Sequence, residues 1–292
     1  MARQKNHPAR LDVRNEGKGR KKPSRASHTP HAPQGRTPHA PQGQASSGRP
    51  LLYGKHAVLA ALANPARKVH RLMLTPESRD NLQSDLHNAI KNGGHSDIET
   101  AVMAKRDLED HLPANAVHQG LALEVEPLRG LHMEDILDQT EDTPRATLII
   151  LDQATDPQNI GAILRSAAAF GVAAVVVQDR HAPDITSAMA KAASGALERV
   201  ALVRVTNLAR TMDKAKAAGF WCIGLDGHAS ATLGEADMGG KVALVLGSEG
   251  SGLRRLTRES CDFLVKVPIS GAVESLNLSN AAAIALYERV RE

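Results

Sequence analysis

The sequence predicts an α/β protein whose larger domain is built on a parallel β-sheet. From residue 146 onward, short apolar segments typical of buried strands alternate with segments of helical composition. Apolar residues make up 42% of the 292-residue chain and aromatic residues only 2%, so the core must consist mainly of Ala, Val, Leu and Ile. A second, smaller α/β domain is predicted upstream of this region, after a basic N-terminal segment.

The N-terminal segment, residues 1–50, is predicted to be a disordered basic tail. It contains eleven Lys or Arg and two acidic residues, whereas residues 51–292 contain 25 basic and 30 acidic residues. Its low-complexity composition, with a near repeat of residues 29–36 in residues 37–44, buries too little apolar surface to offset the entropy of ordering. Such a tail attracts polyanions, and its contribution weakens with salt.

Other sequence features favour a cytoplasmic protein. No apolar run approaches the ~18 residues of a membrane-spanning helix, and the N-terminus lacks the apolar region of a secretory signal. Cys222 and Cys261 are the only cysteines and neither belongs to a CxxC pair, which indicates reduced thiols and no metal site.

Residues 51–126 are predicted to form the small α/β domain. The helix that starts at Gly54 ends before Asn64-Pro65, and the Gly93-Gly94 pair ends the next helix. The predicted elements are helix 54–63, strand 69–74, helix 80–92, strand 98–102, helix 105–112 and a strand after residue 120. Residues 127–145 are predicted to be a linker with one or two helical turns around residues 133–137.

Residues 146–292 are predicted to form the larger domain. The predicted strands are 148–151, 173–177, 199–205, 221–225, 242–246 and 263–267. The predicted helices are 160–170, 188–196, 208–218, 253–259 and 277–291. Strands that alternate with helices in this way favour a parallel sheet covered on both faces, although periodicity does not give the strand order.

Three segments rich in glycine and polar residues follow predicted strands of this domain. They are Asp156–Ala167, Gly247–Leu253 and Val267–Ser279. A parallel sheet places its ligand-binding loops at the carboxyl ends of its strands, so the three segments could form one site. The second segment is neither a phosphate-binding P-loop nor a GxGxxG fingerprint, which excludes a dinucleotide-dependent dehydrogenase.

Each segment also allows a purely structural interpretation. Asn159 and Ser275 could be helix N-caps, and Arg165 could be a solvent-exposed side chain. The alternative is that Asn159 and Arg165 contact an anionic or hydroxyl-bearing substrate, while the loop around Ser275 walls an adenosine-sized pocket. Glu249 within the second segment would repel phosphates, which disfavours a nucleoside triphosphate as the ligand.

In their order and residues, the three segments resemble the signature motifs of the SpoU-type (TrmH-like) RNA ribose methyltransferases of the SPOUT superfamily. The resemblance rests on the Asn…Arg, Gly-Ser-Glu-Gly and Ser-Leu-Asn-Leu-Ser cores and covers about half of the chain. It implies a C-terminal trefoil knot, S-adenosyl-L-methionine as the methyl donor, and 2′-O-methylation of ribose in RNA. It also implies a homodimer whose active site draws residues from both subunits.

The resemblance assigns roles to individual residues. The implied catalytic residues are Asn159, Arg165, Glu249, Ser275 and Asn277. The residues implied to bind the cofactor are Leu246, Gly247, Gly250, Val267, Ile269 and Leu276. Because a guanidinium stays protonated, we expect Arg165 to stabilise the developing alkoxide rather than to act as the base.

The small domain resembles the L30e-like substrate-binding domain of the subfamily that methylates a guanosine in 23S ribosomal RNA. The matching segments are Tyr53–Val58 and His118–Leu121. Methylation of tRNA or of another rRNA site is the alternative within the same chemistry. A non-catalytic RNA-binding protein is a further alternative, which the presence of Asn159, Arg165 and Glu249 disfavours.

Overall fold

The computed structural model describes residues 49–180, 182–271 and 273–291. The predicted basic tail lies outside the described residues, except for Arg49 and Pro50. The carbonyl of Pro50 accepts a hydrogen bond from the backbone amide of Val125 at 3.1 Å. Arg49 forms an ion pair with Glu124 at 3.2 Å. Both described residues of this segment therefore contact the small domain.

The small domain is a four-stranded sheet with helices. Its elements are β1 (Leu51–Tyr53), α1 (Lys55–Ala63), β2 (Val69–Leu74), α2 (Pro76–Asn81), α3 (Gln83–Gly93), β3 (Glu99–Val102), α4 (Lys105–Asp110) and β4 (Leu121–Val125). The strand order is β1-β4-β2-β3. Strand β4 is antiparallel to both of its neighbours, and β2 is parallel to β3.

Two features of the small domain differ from the sequence prediction. The single helix predicted over 80–92 is two helices, because Thr75 caps α2 by accepting a hydrogen bond from the amide of Ser78, with Pro76 in the first turn. The chain leaves helical geometry at Leu82 before α3 begins. Strand β1 was not predicted, since three apolar residues carry no periodicity.

A seven-stranded parallel sheet forms the larger domain, preceded by α5 (Met133–Gln139) in the connecting segment. The first half contains β5 (Ala146–Leu151), α6 (Pro157–Ala169), β6 (Ala174–Gln178), α7 (Ser187–Ala193), a 3-10 turn (Ala196–Glu198), β7 (Ala201–Val205) and α8 (Leu208–Ala217). The second half contains β8 (Phe220–Leu225), β9 (Ala231–Thr232), a 3-10 turn (Leu233–Glu235), β10 (Lys241–Leu246), α9 (Arg255–Glu259), β11 (Phe263–Lys266) and α10 (Leu278–Val290).

The strand order of this sheet is β7-β6-β5-β10-β8-β11-β9, and every pairing is parallel. The prediction of a parallel sheet covered on both faces is confirmed. Apolar residues of α6, α7 and α10 pack on one face, and those of α5 and α8 pack on the other. Strand β5 divides its side chains accordingly, with Ile149 and Leu151 facing the first layer and Leu148 and Ile150 facing the second.

The sheet has its topological switch point between β5 and β10. From β5 the chain proceeds outward to β6 and β7, and it then returns to build the other half of the sheet through β8, β10 and β11. Open parallel sheets bind ligands in the crevice at the carboxyl ends of the strands that flank such a point. The segments that follow β5 and β10 are two of the three segments singled out in the sequence.

The small domain packs against the α7–β7 connection of the larger domain. Gly195, with φ +88°, lies so close to α1 that an added Cβ would be 2.6 Å from the Cβ of Ala60. Beside it, Arg67 and Glu198 form an ion pair at 2.9 Å whose side chains are only 5% and 4% exposed. Asn64 donates a hydrogen bond to the same carboxylate at 2.8 Å. These contacts fix one domain on the other.

Candidate active site

The first site segment enters α6 after β5. The side chain of Asp156 caps this helix by accepting a hydrogen bond from the amide of Gln158 at 2.9 Å, and Pro157 occupies the first turn. The purely structural interpretation of Asn159, as the N-cap of α6, is therefore wrong. Because Asp156 performs the capping, the amide of Asn159 is available for contacts outside its own helix.

Asn159, Glu249 and Asn277 form one hydrogen-bonded cluster, although they lie far apart in sequence. One carboxylate oxygen of Glu249 accepts hydrogen bonds from the side-chain amides of Asn159 at 2.9 Å and Asn277 at 2.8 Å. The same oxygen accepts a third from the backbone amide of Leu278 at 3.1 Å. Asn277 also donates to the side-chain oxygen of Asn159 at 2.9 Å. All three segments thus meet at a single carboxylate.

Asn277 has a second role as the N-cap of α10. Its side-chain oxygen accepts hydrogen bonds from the backbone amides of Ser279 at 2.9 Å and Asn280 at 3.3 Å. The purely structural interpretation of Ser275, as this N-cap, is therefore wrong. Ser275 is exposed and lies in the wall of the cavity described next. Since the oxygen of Asn277 is held by the helix, its amide is aimed at Glu249.

The glycine-rich loop after β10 is folded tightly on itself. Ser248 and Gly252 exchange two backbone hydrogen bonds at 3.2 and 3.0 Å. Gly250 and Gly252 have φ +85° and +66°, in the region that favours glycine. A Cβ at Gly247 would lie 2.0 Å from the carbonyl carbon of Gly252, so that position can hold only glycine without moving the loop.

A cavity of about 370 Å³ lies beside this loop. All six predicted cofactor-binding residues line it, as do Glu249 and Ser275. Sequence reasoning did not single out the charged residues of the same wall, Asp226, Arg258 and Lys266. Asp226 and Arg258 form an ion pair at 2.8 Å. Asp226 follows directly after β8, so its place at a strand's carboxyl end was the available signal.

Sequence reasoning also missed Asp152, which anchors the end of the glycine-rich loop. The carboxylate of Asp152, whose residue is 1% exposed, accepts hydrogen bonds from the backbone amide of Arg254 at 3.0 Å and from its guanidinium Nε at 2.7 Å. The guanidinium also donates to Gln178 at 2.8 Å. The end of the glycine-rich loop is therefore tied to the ends of β5 and β6. Asp152 directly follows a buried strand, which was the available signal.

Arg165 is the one predicted site residue that does not contact this region. It is exposed on α6 and lines a different cleft, between the small domain and the larger one. Six residues along a helix correspond to about 240° of rotation, so Arg165 and Asn159 face different sides of α6. Within one chain, the arginine and the cavity are separate.

The described residues show neither a metal site nor a membrane span. Over the described residues, no three His, Cys, Asp or Glu side chains lie close enough together to hold a metal ion. No helix in the described ranges is both long and apolar enough to cross a membrane. The cysteines are free, with Cys222 buried and Cys261 half-buried.

A parallel α/β domain with a glycine-lined cavity at the carboxyl ends of β8, β10 and β11 has the architecture of many cofactor-binding enzymes. Residues 146–287 match the SpoU rRNA Methylase family, and residues 51–131 match the RNA 2′-O ribose methyltransferase substrate-binding family. The chain is 43% identical over 244 residues to the 23S rRNA (guanosine-2′-O-)-methyltransferase RlmB of Vibrio cholerae, covering 83% of this chain and 96% of that one. The chain belongs to the SpoU rRNA methylase family.

Other relatives are similar to this chain in sequence or in fold. RlmB of Escherichia coli K12 is 40% identical over 242 residues, covering 83% of this chain and 98% of that one. The SpoU methyltransferase AviRb of Streptomyces viridochromogenes, crystallised in complex with AdoMet, has a TM-score of 0.66 at 28% identity and covers 84% of this chain and 91% of its own. An rRNA methyltransferase from Sinorhizobium meliloti, at 21% identity and a TM-score of 0.66, shows the same fold.

Proposed function

We propose that this protein transfers a methyl group from S-adenosyl-L-methionine to the ribose 2′-hydroxyl of a guanosine in 23S rRNA. The observation that carries this proposal is the meeting of three family motifs at the carboxylate of Glu249, beside the glycine-lined cavity. Family membership and relatives named for this reaction support the substrate. Nothing in the fold favours tRNA or a non-catalytic role.

The cavity suits S-adenosyl-L-methionine. Its volume of about 370 Å³ lies in the range of small-molecule sites. Gly247 brings backbone to the cavity edge where a side chain would not fit, and Val267 and Leu276 offer apolar surface for an adenine ring. The wall holds three carboxylates, of Asp226, Glu249 and Glu274, and two cations, of Arg258 and Lys266, and this small excess of negative charge suits a sulfonium cation better than a polyphosphate. The cofactor supplies a methyl group on positively charged sulfur, ready for in-line attack.

The chain's own residues supply position and charge. The Glu249 cluster holds the glycine-rich loop, α6 and α10 in one arrangement, because three donors converge on one oxygen. We assign Asn159, Glu249, Ser275 and Asn277 to positioning the ribose next to the cavity, where orientation alone supplies up to ~7–11 kcal/mol of rate enhancement. Arg165 stabilises the negative charge that develops on the 2′-oxygen, while the proton leaves to phosphate or water.

Arg165 can perform this role only if a second copy of the chain completes the site. Its place on the far side of α6, away from its own chain's cavity, supports a homodimer in which each arginine serves the partner's cavity. Complementation tests this arrangement: Arg165→Ala and Gly247→Val chains are inactive alone, and refolded together they regain up to about a quarter of wild-type activity. A mixture that stays inactive contradicts the shared site. The trefoil knot and the cytoplasmic location remain predictions.

The reaction is tested with purified protein, radiolabelled S-adenosyl-L-methionine and 23S rRNA that lacks the modification. We expect methyl incorporation that is resistant to alkaline cleavage, as a 2′-O-methyl group is. Arg165→Lys should abolish turnover but leave cofactor affinity nearly intact, because a lysine cannot reproduce the planar fork of donors. Arg210→Lys, on the opposite face of the sheet, is the matched control and should remain active. Comparable loss of cofactor binding in Arg165→Lys contradicts the assigned role.

A further inference from the structure

The cleft between the two domains contains a second arginine to which nothing yet described gives a role. This interdomain cleft has a volume of about 580 Å³ and is bounded by α1 and α3 on one side and by α6 and the α7–β7 connection on the other. Arg165 extends into it from α6, and Arg199 from the end of the 3-10 turn. Both side chains are exposed.

The charges in the interdomain cleft are unbalanced. Among the described residues, neither Arg165 nor Arg199 has a side-chain hydrogen bond or an ion-pair partner. The one carboxylate at the wall, Asp85, is already paired with Lys55 at 2.9 Å. Most other arginines of this domain are engaged, as Arg254 is with Asp152. Two free guanidinium groups in one concave surface favour an anionic ligand that carries more than one charge.

The lining is also suited to a chain of sugars and phosphates. Asn88 and Asn92 on α3 add exposed amide donors, and Ser194 adds a hydroxyl. Between them the floor consists of small side chains, such as Ala60 and Ala168, which leave room for a backbone to lie along it. No Phe, Tyr or Trp lines the cleft, and His56 is its one ring side chain, so the chemistry favours contacts to phosphate and ribose over stacking on a row of bases.

The walls of the interdomain cleft are held at a fixed separation. Gly195, which lines the cleft, lies in close contact with α1, and the Arg67–Glu198 ion pair joins the same two domains. Arg199 directly follows Glu198 in the chain, so the buried pair that joins the domains also fixes the backbone from which the free guanidinium extends. A preformed site of this kind does not have to be ordered when its ligand binds.

We propose that the interdomain cleft binds the RNA backbone beside the target nucleotide, with Arg199 contacting a phosphate. This inference rests on the proposed function, which places the target ribose at Arg165, a residue that lines the same cleft. The basic N-terminal tail is then not the sole source of RNA affinity. Arg199 sets how tightly the RNA is held, and Arg165 acts on the ribose.

The test is the salt dependence of binding to an unmodified 23S rRNA transcript, using Arg199→Gln in the full chain. Removing one phosphate contact should weaken binding about tenfold at moderate salt. It should also reduce the slope of log affinity against log salt by about 0.7–1. The KM for RNA should rise with little change in kcat, and cofactor affinity should be unaltered. Arg210→Gln, an equally exposed and unpaired arginine on α8, should behave as wild type.

The outcomes separate this proposal from the proposed function. If Arg199→Gln matches Arg210→Gln in affinity and slope while the wild-type protein methylates rRNA, the cleft proposal is overturned and the function stands. If the wild-type protein methylates no rRNA, the function fails, and the binding slopes still decide on the cleft. Equal thermal stability of the two variants shows that folding is not the cause. A loss for Arg199→Gln that does not depend on salt also contradicts a phosphate contact.

Discussion

The buried ion pair between Arg67 and Glu198 gives a sharp prediction about how the two domains are joined. Glu198→Ala removes the carboxylate that faces the Arg67 guanidinium at 2.9 Å and accepts a hydrogen bond from Asn64 at 2.8 Å. Burial already lowers the pKa of Arg67 from its ordinary value, against the raising effect of Glu198. Without its counter-ion, the guanidinium is left charged in a site that is 6% exposed.

The expected cost follows from this burial. Removing one partner of a buried ion pair typically destabilises a protein by about 3–5 kcal/mol. Arg67 retains one hydrogen bond, to the carbonyl of Glu126 at 3.0 Å, which places Glu198→Ala at about 3–4 kcal/mol. That loss is a large share of the roughly 5–15 kcal/mol that stabilises a typical protein.

Urea unfolding followed by circular dichroism measures this cost. Glu259→Ala is the matched control, because Glu259 pairs with Arg255 at 2.9 Å but the side chains are 56% and 75% exposed. We expect that variant to lose less than about 1 kcal/mol. Replacing both buried partners, in Arg67→Met with Glu198→Leu, should recover most of the stability, since no uncompensated charge remains. If Glu198→Ala costs no more than Glu259→Ala, the pair is solvated and the domains are not docked in this way.

Two further predictions concern the glycine-rich loop and the thiols. Gly247→Ala should weaken S-adenosyl-L-methionine binding by about a hundredfold (about 2.7 kcal/mol) in titration calorimetry, because its Cβ would lie 2.0 Å from the carbonyl carbon of Gly252. Gly130→Ala is the control and should bind the cofactor normally, because a Cβ there meets nothing within 4 Å. Equal affinities of the two variants would mean that the loop does not touch the cofactor. Burial raises the pKa of both Cys222 and Cys261 to about 12, so at pH 8 alkylation should be about a thousandfold slower in the native protein than in urea. The same raised pKa values should make the free energy of unfolding fall as the pH rises from about 9 towards 12, because in this range only the unfolded chain loses these thiol protons. Fast alkylation of the native protein would contradict the burial of the two thiols.

Much of the larger domain could be predicted from sequence because its strands are continuous apolar runs. Leu148–Leu151 and Val242–Leu246 are fully buried in a parallel sheet, and such runs between helices have few other interpretations. The short edge strands β1 and β9 were missed for the opposite reason. Three or two residues carry no periodicity, and their pairing depends on partners far away in sequence.

The candidate site was predicted residue by residue through motif resemblance, but its geometry was not. By residue type alone, Asn159 could cap α6 and Ser275 could cap α10. Only the fold shows that Asp156 caps α6 and Asn277 caps α10. The position of Arg165 away from the cavity depends on helix phase and on the docking of a second domain. A local sequence pattern predicts neither the phase of the helix nor the docking of the domains.

The interdomain ion pair was equally hidden from sequence. Arg67 follows a proline turn and Glu198 ends a short 3-10 turn, 131 positions further along the chain. Each alone resembles an ordinary surface charge. Their burial results from the close approach that Gly195 permits, which is a tertiary property.

The most direct test of the central claim is to map ribose 2′-O-methyl groups in 23S rRNA from cells with and without the gene. The account predicts one guanosine whose methylation is absent in the deletion, is restored by the wild-type chain and is not restored by Arg165→Lys. A 23S rRNA methylation pattern that is identical in the two strains would contradict it.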